Sequence, residues 1–318
     1  MKITGSGSAL PAQRITNDML GEFLDTSDQW ITSHTGIKER RVIKNERLSD
    51  LASRACRLAL EDAKVKAEDI DLVICSNVIS DCVTPGLSCF IAGAIGYRGL
   101  CLDINGACTG FIQALDLAHS YFSAGKARRI LVCAAEKPTH LADWTDRATC
   151  VLFGDGAGAV VLEKGRTEAC PASVFGTEFN DEFLIMPSKR STCPFTDDPY
   201  SEGFMYMNGQ EVYRFAVNAC VSDITAAAEK AGIALGDIDL FLLHQANSRI
   251  MTAARTRLKL PVEKFPENVS YLGNTSSACI PLLIDSLRRE NRLFPGQTLA
   301  LSAFGAGLTH GAMILKIE

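Results

Sequence analysis

The chain carries a faint copy of itself, and that copy restricts the folds open to it more than any other feature. Residues 59–72 read ALEDAKVKAEDIDL, and residues 227–240 read AAEKAGIALGDIDL. At an offset of 168, Ala59, Glu61, Ala63, Asp69, Ile70, Asp71 and Leu72 meet identical partners, seven of fourteen positions. A second echo follows in the same order, Gly158-Ala-Val-Val-Leu162 against Gly311-Ala-Met-Ile-Leu315. Chance and shared composition produce single matches of this kind, but two in the same order favour a duplication.

Both halves show the same coarse plan. A helix, at about 48–64 and about 208–231, leads through an acidic turn to a short apolar strand, Leu72-Val-Ile-Cys75 or Leu240-Phe-Leu-Leu243. Such continuous apolar runs are expected where both faces of a sheet are covered. Further helices follow, then a strand (Ile130–Ala135, Leu299–Ser302), then a Gly-rich turn into a closing strand. Alternating helices and strands imply α/β layers. The expectation is two similar α/β halves sharing an interface, residues 1–166 and 167–318, with a long loop at Pro187–Gly203 where three prolines gather.

The formal charge of -5 argues against a nucleic-acid partner. The first residues lack the apolar core of a signal peptide, and no apolar run approaches the ~20 residues of a membrane span. A soluble, cytoplasmic protein is expected. None of the twelve cysteines forms a C-x-x-C pair, so no metal site is expected. Most lie in apolar runs, as Cys75 and Cys133 do, where a cysteine is a small buried hydrophobe.

Cys108 differs in its surroundings. A strand-like Leu102-Asp-Ile-Asn precedes it and a helical pattern follows, closed by Gly125. At such a junction the helix dipole favours thiolate over thiol. A buried structural cysteine at a tight turn fits the same position. His244 ends the apolar strand Asp239–Leu243, where α/β proteins place ligand-binding groups, although a satisfied core histidine is the usual alternative. Asn274, in Gly-Asn-Thr-Ser ahead of a helix at Cys279–Arg289, reads equally as an N-cap. The turns Phe153-Gly-Asp-Gly-Ala-Gly158 and Phe304-Gly-Ala-Gly307 occupy equivalent places and offer backbone N–H groups to an oxyanion. Neither has dinucleotide or P-loop spacing.

Taken together, these segments resemble β-ketoacyl-acyl-carrier-protein synthase III, a thiolase-fold condensing enzyme. Asp25-Thr-Ser-Asp-Gln-Trp-Ile31, His34-Thr-Gly-Ile37, Gly106-Ala-Cys-Thr-Gly110, Thr145-Asp-Arg147, Phe153–Gly158, His244-Gln-Ala-Asn247 and Gly273-Asn-Thr-Ser276 carry the likeness nearly end to end. The resemblance implies a duplicated, five-layered αβαβα fold, a homodimer and a Cys-His-Asn set mapping onto Cys108, His244 and Asn274. It further implies a decarboxylative condensation of an acyl-CoA primer with malonyl carrier protein through acyl-Cys108, initiating fatty acid synthesis. The backbone N–H groups of Cys108 and Ala306 would form the oxyanion hole. Coenzyme A would be a substrate, not a cofactor, its adenine held between Trp30 and Arg147 near Thr26 and its pantetheine arm passing Gly209 and Asn247. Gln245, Ala246, Arg249, Arg214 and Arg257, with Arg255 nearby, would meet the acidic carrier protein. A solvated helix face is the plain alternative for the arginines.

Three positions depart from the family pattern. His34 occupies a position where the family resembles Arg, and Ala306 one where it commonly has Gly. In Asp81-Cys-Val-Thr-Pro85, Thr84 takes the place of a Phe that gates the partner's acyl tunnel in short-chain members. A specialised synthase of secondary metabolism and an inactive acyl-carrier-binding scaffold are the competing readings. A papain-like hydrolase shares the Cys, His, Asn order but lacks its C-G-S-C-W context.

Overall fold

Leu72–Ser76 is buried at every position, and its side chains alternate between two cores. Leu72 and Ile74 face the middle of the molecule, while Val73 and Cys75 face an outer core. Leu240–Leu243 behaves alike: Leu240 and Leu242 point to the middle, Phe241 and Leu243 to the opposite outer core. Period-two alternation with both faces covered accounts for the unbroken apolar runs.

In this computed structural model, residues 1–165, 172–187 and 203–318 are described. The Pro187–Gly203 loop, apart from its ends, and the expected boundary at 166/167 lie outside them. A five-stranded sheet runs in the order Lys2–Ala9, Gly156–Glu163, Arg129–Glu136, Leu72–Ser76, Leu100–Ile104. A four-stranded sheet runs Leu240–Leu243, Thr298–Gly305, Gly307–Lys316, Ala172–Asn180. Leu72–Ser76 pairs parallel with Arg129–Glu136, which pairs antiparallel with Gly156–Glu163. Leu240–Leu243, Thr298–Gly305 and Gly307–Lys316 repeat that sequence of pairings.

The helices complete five layers. Leu48–Ala63 and Leu87–Ile95 cover the outside of the first sheet, Gly209–Ala231 and Ser248–Leu258 the outside of the second. Gly110–Ser123 and Cys279–Arg289 lie between the sheets. The duplicated αβαβα fold is therefore as expected. Its repeat extends to backbone detail: Leu48–Ala63 and Gly209–Ala231 end on Lys64 and Gly232, both left-handed, at φ 56° and 68°. A single 3₁₀ turn follows each, Ala67–Asp69 and Leu235–Asp237. Among the described residues no helix is long and apolar enough to cross a membrane.

Candidate active site

The two helices between the sheets begin alike. Ala107 and Ser276 sit in the left-handed region, at φ 49° and 51°, each just ahead of the first turn, at Gly110 and Cys279. Non-glycine residues in that region carry about 1–3 kcal/mol of strain, which the surrounding structure must hold in place. The second consequence of the duplication is that these helix starts meet. Cys108 Sγ lies 3.4 Å from Ser276 Oγ, across the seam between the halves.

His244 follows its strand into the same space and is 2% exposed. Its Nδ1 is 3.0 Å from Cys279 Sγ, and Phe304 meets its ring edge-to-face at 5.1 Å. Burial pushes the imidazole down to about 3, so it is neutral at physiological pH. Burial likewise pushes the Cys279 thiol up, keeping its proton on sulfur. The thiol then donates to Nδ1 and accepts from the Gln245 backbone N–H at 3.4 Å. That arrangement assigns the ring proton to Nε2, leaving a neutral N–H donor for a ligand. Cys279 was one more apolar thiol in the sequence, and its role had no local signal.

Asn274 is not the N-cap of Cys279–Arg289, whose cap is Ala278. Its Oδ1 accepts from the Ser276 N–H at 2.9 Å, which leaves Nδ2 as the free donor. Its backbone is pinned by Leu152 O at 2.8 Å and by the Gly154 N–H at 3.1 Å. The Phe153–Gly158 turn thus braces Asn274, and the Asp155 N–H is also taken, by Arg41 O. The first Gly-rich turn therefore spends these N–H groups on the fold, while the second lies against Cys108. There a Cβ on Gly305 would stand 2.7 Å from Cys108 N, so glycine alone permits the close approach.

The Cys108 thiol also departs from expectation. Burial, with the Glu136 carboxylate, pushes it up to about 12, while the Ser276 hydroxyl bond and helix-start backbone pull against this. Desolvation wins over the dipole, and the resting sulfur is a thiol. Glu136 itself is 1% exposed and accepts from Ser276 Oγ, Ser277 Oγ and the Val78 N–H.

Cys108, His244, Asn274 and Ala306 line one cavity of about 290 Å³, walled largely by apolar side chains that include Met186, Met205 and Met207. Trp30, His34, Gly209, Ala246 and Asn247 line the same cavity. Arg147 covers the Trp30 ring at 5.2 Å and bonds to Asp25, and His34 stacks on Trp30 at 4.5 Å. Asn247 caps Ser248–Leu258 through Arg249 N and donates to His34 O at 3.2 Å. Thr26 is not among the lining residues, and its buried hydroxyl has no partner. Arg214, Arg249 and Arg257 are exposed. Gln245 is not: fully buried, it bonds to Leu243 O, Asn268 N and Cys279 Sγ, so it braces the site and cannot meet a carrier protein. Thr84 is exposed and does not line this cavity, so any gating by it requires a second copy. No His/Cys/Asp/Glu cluster able to hold a metal occurs among the described residues.

Residues 102–180 match the family model 3-oxoacyl-[acyl-carrier-protein] synthase III, and residues 228–317 match the model of its C-terminal part. A β-ketoacyl-[acyl-carrier-protein] synthase III of Clostridium acetobutylicum is 41% identical, covering 99% of this chain and 98% of that protein. The solved synthase III of Thermus thermophilus superposes with a TM-score of 0.93 at 38% identity, over 100% of this chain and 99% of that one. A priming β-ketosynthase of the R1128 polyketide pathway gives 0.93 at 34% identity, over 99% and 96%.

Proposed function

Because this chain belongs to the 3-oxoacyl-[acyl-carrier-protein] synthase III family, we propose that Cys108, His244 and Asn274 carry its decarboxylative condensation of an acyl-CoA with malonyl carrier protein. The observation that carries the assignment is their convergence, from both halves, on one apolar cavity. Cys108 takes the acyl group from coenzyme A. The carbonyl oxygen turns toward the backbone N–H groups of Cys108 and Ala306, the first of which lies against Gly305 because that residue lacks a side chain. Malonyl thioester then enters, and His244 Nε2–H and Asn274 Nδ2–H donate to its carbonyl. Loss of carbon dioxide leaves an enolate those donors stabilise, and its carbon attacks acyl-Cys108. The chemistry needs no resident cofactor. Incubating the protein with acyl-CoA and malonyl carrier protein, and following 3-ketoacyl product and Cys108 mass, tests the assignment. A protein that is never acylated is only a scaffold.

Coenzyme A fits the Trp30 end of the cavity. Its adenine would enter between Trp30 and Arg147, near Thr26, with the pantetheine arm running past Gly209 and Asn247 to Cys108. The exposed Arg249, Arg214 and Arg257 suit an acidic carrier protein at the mouth. His34, where the family resembles Arg, cannot supply a permanent charge or a planar fork. His34→Arg is expected to lower KM for acyl-CoA about two- to fivefold, the worth of one exposed charge contact. An unchanged KM means that Trp30 and Arg147 suffice.

A homodimer is the assembly this reading requires. Leu100–Ile104 is an edge strand with Leu100 exposed, and an open edge of this kind invites pairing with a second copy. The neighbouring loop would then deliver Thr84 to the partner's cavity. Thr is much smaller than Phe, so the tunnel end has room, and each further buried methylene contributes up to ~0.8 kcal/mol. The expected result is that kcat/KM holds or rises from acetyl to octanoyl donors, and that Thr84→Phe restricts use to the shortest. An enzyme that takes acetyl-CoA and rejects everything longer than butyryl disproves this.

A further inference from the structure

We propose that Glu136, acting through the Ser276 hydroxyl, receives the Cys108 thiol proton and keeps it while the acyl group occupies the sulfur. This rests on the function assigned above and deepens it: Ser276 is a further catalytic residue, touching the reacting sulfur, and Glu136 a positioning residue behind it.

The chain of contacts is continuous. Cys108 Sγ is 3.4 Å from Ser276 Oγ, and Ser276 Oγ donates to Glu136 Oε1 at 3.2 Å. A serine hydroxyl has one proton; with that proton on the carboxylate side, its oxygen faces the thiol as acceptor. Ser276 is held in place by its left-handed backbone and by Asn274 Oδ1 on its N–H. Glu136 is fixed in turn by Ser277 Oγ at 2.6 Å and the Val78 N–H at 3.0 Å, while Ser76 Oγ donates to Ser277 Oγ.

A structural role explains this carboxylate poorly. It is buried, and its partners among the described residues are the Ser276 and Ser277 hydroxyls and backbone N–H groups of Val78 and Ser277, without a cation. The adjacent Lys137 is turned to Asp81, at 2.9 Å. Its charge bears on the thiols of Cys108 and, on the neighbouring strand, Cys75. Burying an uncompensated carboxylate is costly, and an amide of the same shape avoids that cost. Burial lifts it to about 7 against the hydrogen bonds that favour its charge, so it can accept and return a proton near neutrality. His244, pushed down to about 3 and engaged at Nδ1, is poorly matched to that task.

The steps balance. In the first half-reaction the thiol proton passes to Ser276 Oγ as the serine's own proton passes to Glu136, and the sulfur bonds to the acyl carbon. The carbon–sulfur bond to coenzyme A breaks, and the expelled thiolate takes a proton from solvent. In the second half-reaction the enolate carbon bonds to the acyl carbon and the bond to Cys108 breaks. The released sulfur recovers its proton from Glu136 by the same path. One solvent proton is consumed per turnover.

The test is rapid-quench mass measurement of Cys108 acylation by butyryl-CoA between pH 5.5 and 9, on wild type, Glu136→Gln and Ser276→Ala. Wild-type acylation is expected to rise through neutral pH. Both variants should be about 10²-fold slower at pH 7.5 and lose that rise, the usual worth of a general base. Their melting temperatures should stay close to wild type, and acylation should fall much further than decarboxylation of malonyl carrier protein. Ser276→Ala leaves the carboxylate and its bond to Ser277 in place, so it serves if Glu136→Gln folds poorly. A folded variant with wild-type acylation and pH profile overturns the relay, as does an equal loss of acylation and decarboxylation. Wild type that is never acylated overturns the underlying function instead.

Discussion

Cys108→Ala is expected to abolish acyl transfer and condensation, a loss of at least about 10⁴-fold, with little change in melting temperature. The sulfur lies beside the strained Ala107, faces the shared cavity and touches Ser276, so removing it deletes the bond-forming atom and little packing. Cys75 and Cys133 form the contrast. Both are fully buried in the outer core of the first sheet, paired across adjacent strands, and not part of the cavity lining. Alanine at either should cost about 1 kcal/mol of stability, as small core truncations do, and leave turnover per folded molecule unchanged. Intact mass after acyl-CoA incubation decides the matter. Stoichiometric labelling that persists in Cys108→Ala moves the nucleophile elsewhere.

Where sequence grammar is local, the fold was readable from it. The helices at 48–64 and 208–231 end where Lys64 and Gly232 turn left-handed, and Cys279–Arg289 begins and ends as its pattern indicates. The duplication was visible because each copy repeats the same helix, turn and strand. What escaped is what joins distant residues. Ser276 reaches Cys108 across 168 positions and Glu136 across 140, and nothing in Ala-Ala-Glu-Lys distinguishes a buried carboxylate from a strand end facing water. Gln245 misled for the same reason. Its motif lies at the mouth of the site, but its side chain turns inward to Leu243 O and Asn268 N. The thiolate expected at Cys108 failed because a helix dipole is local, whereas desolvation depends on everything packed around the sulfur.

Changing the pair opposite the nucleophile should divide the two half-reactions. In His244→Ala and Asn274→Ala, malonyl decarboxylation is expected to fall by about 10² to 10³-fold, the 2.7–4 kcal/mol typical of one lost donor to a developing oxyanion. Acyl transfer to Cys108 should fall far less, because His244 Nε2 and Asn274 Nδ2 are assigned to the malonyl carbonyl and the thiol proton has its own path through Ser276. The pH dependence sharpens the division. His244, its pKa depressed by burial to about 3, stays neutral and able to donate from pH 5.5 upward, so it contributes no pH dependence to decarboxylation. Glu136, raised by burial to about 7, loses its basicity as pH falls through that value, so acyl transfer should decline there. Measuring the two half-reactions separately across pH 5.5–9 distinguishes a site with two acid–base roles from one in which His244 performs both. If decarboxylation and acylation share one pH profile and fall together in His244→Ala, the division of labour is wrong.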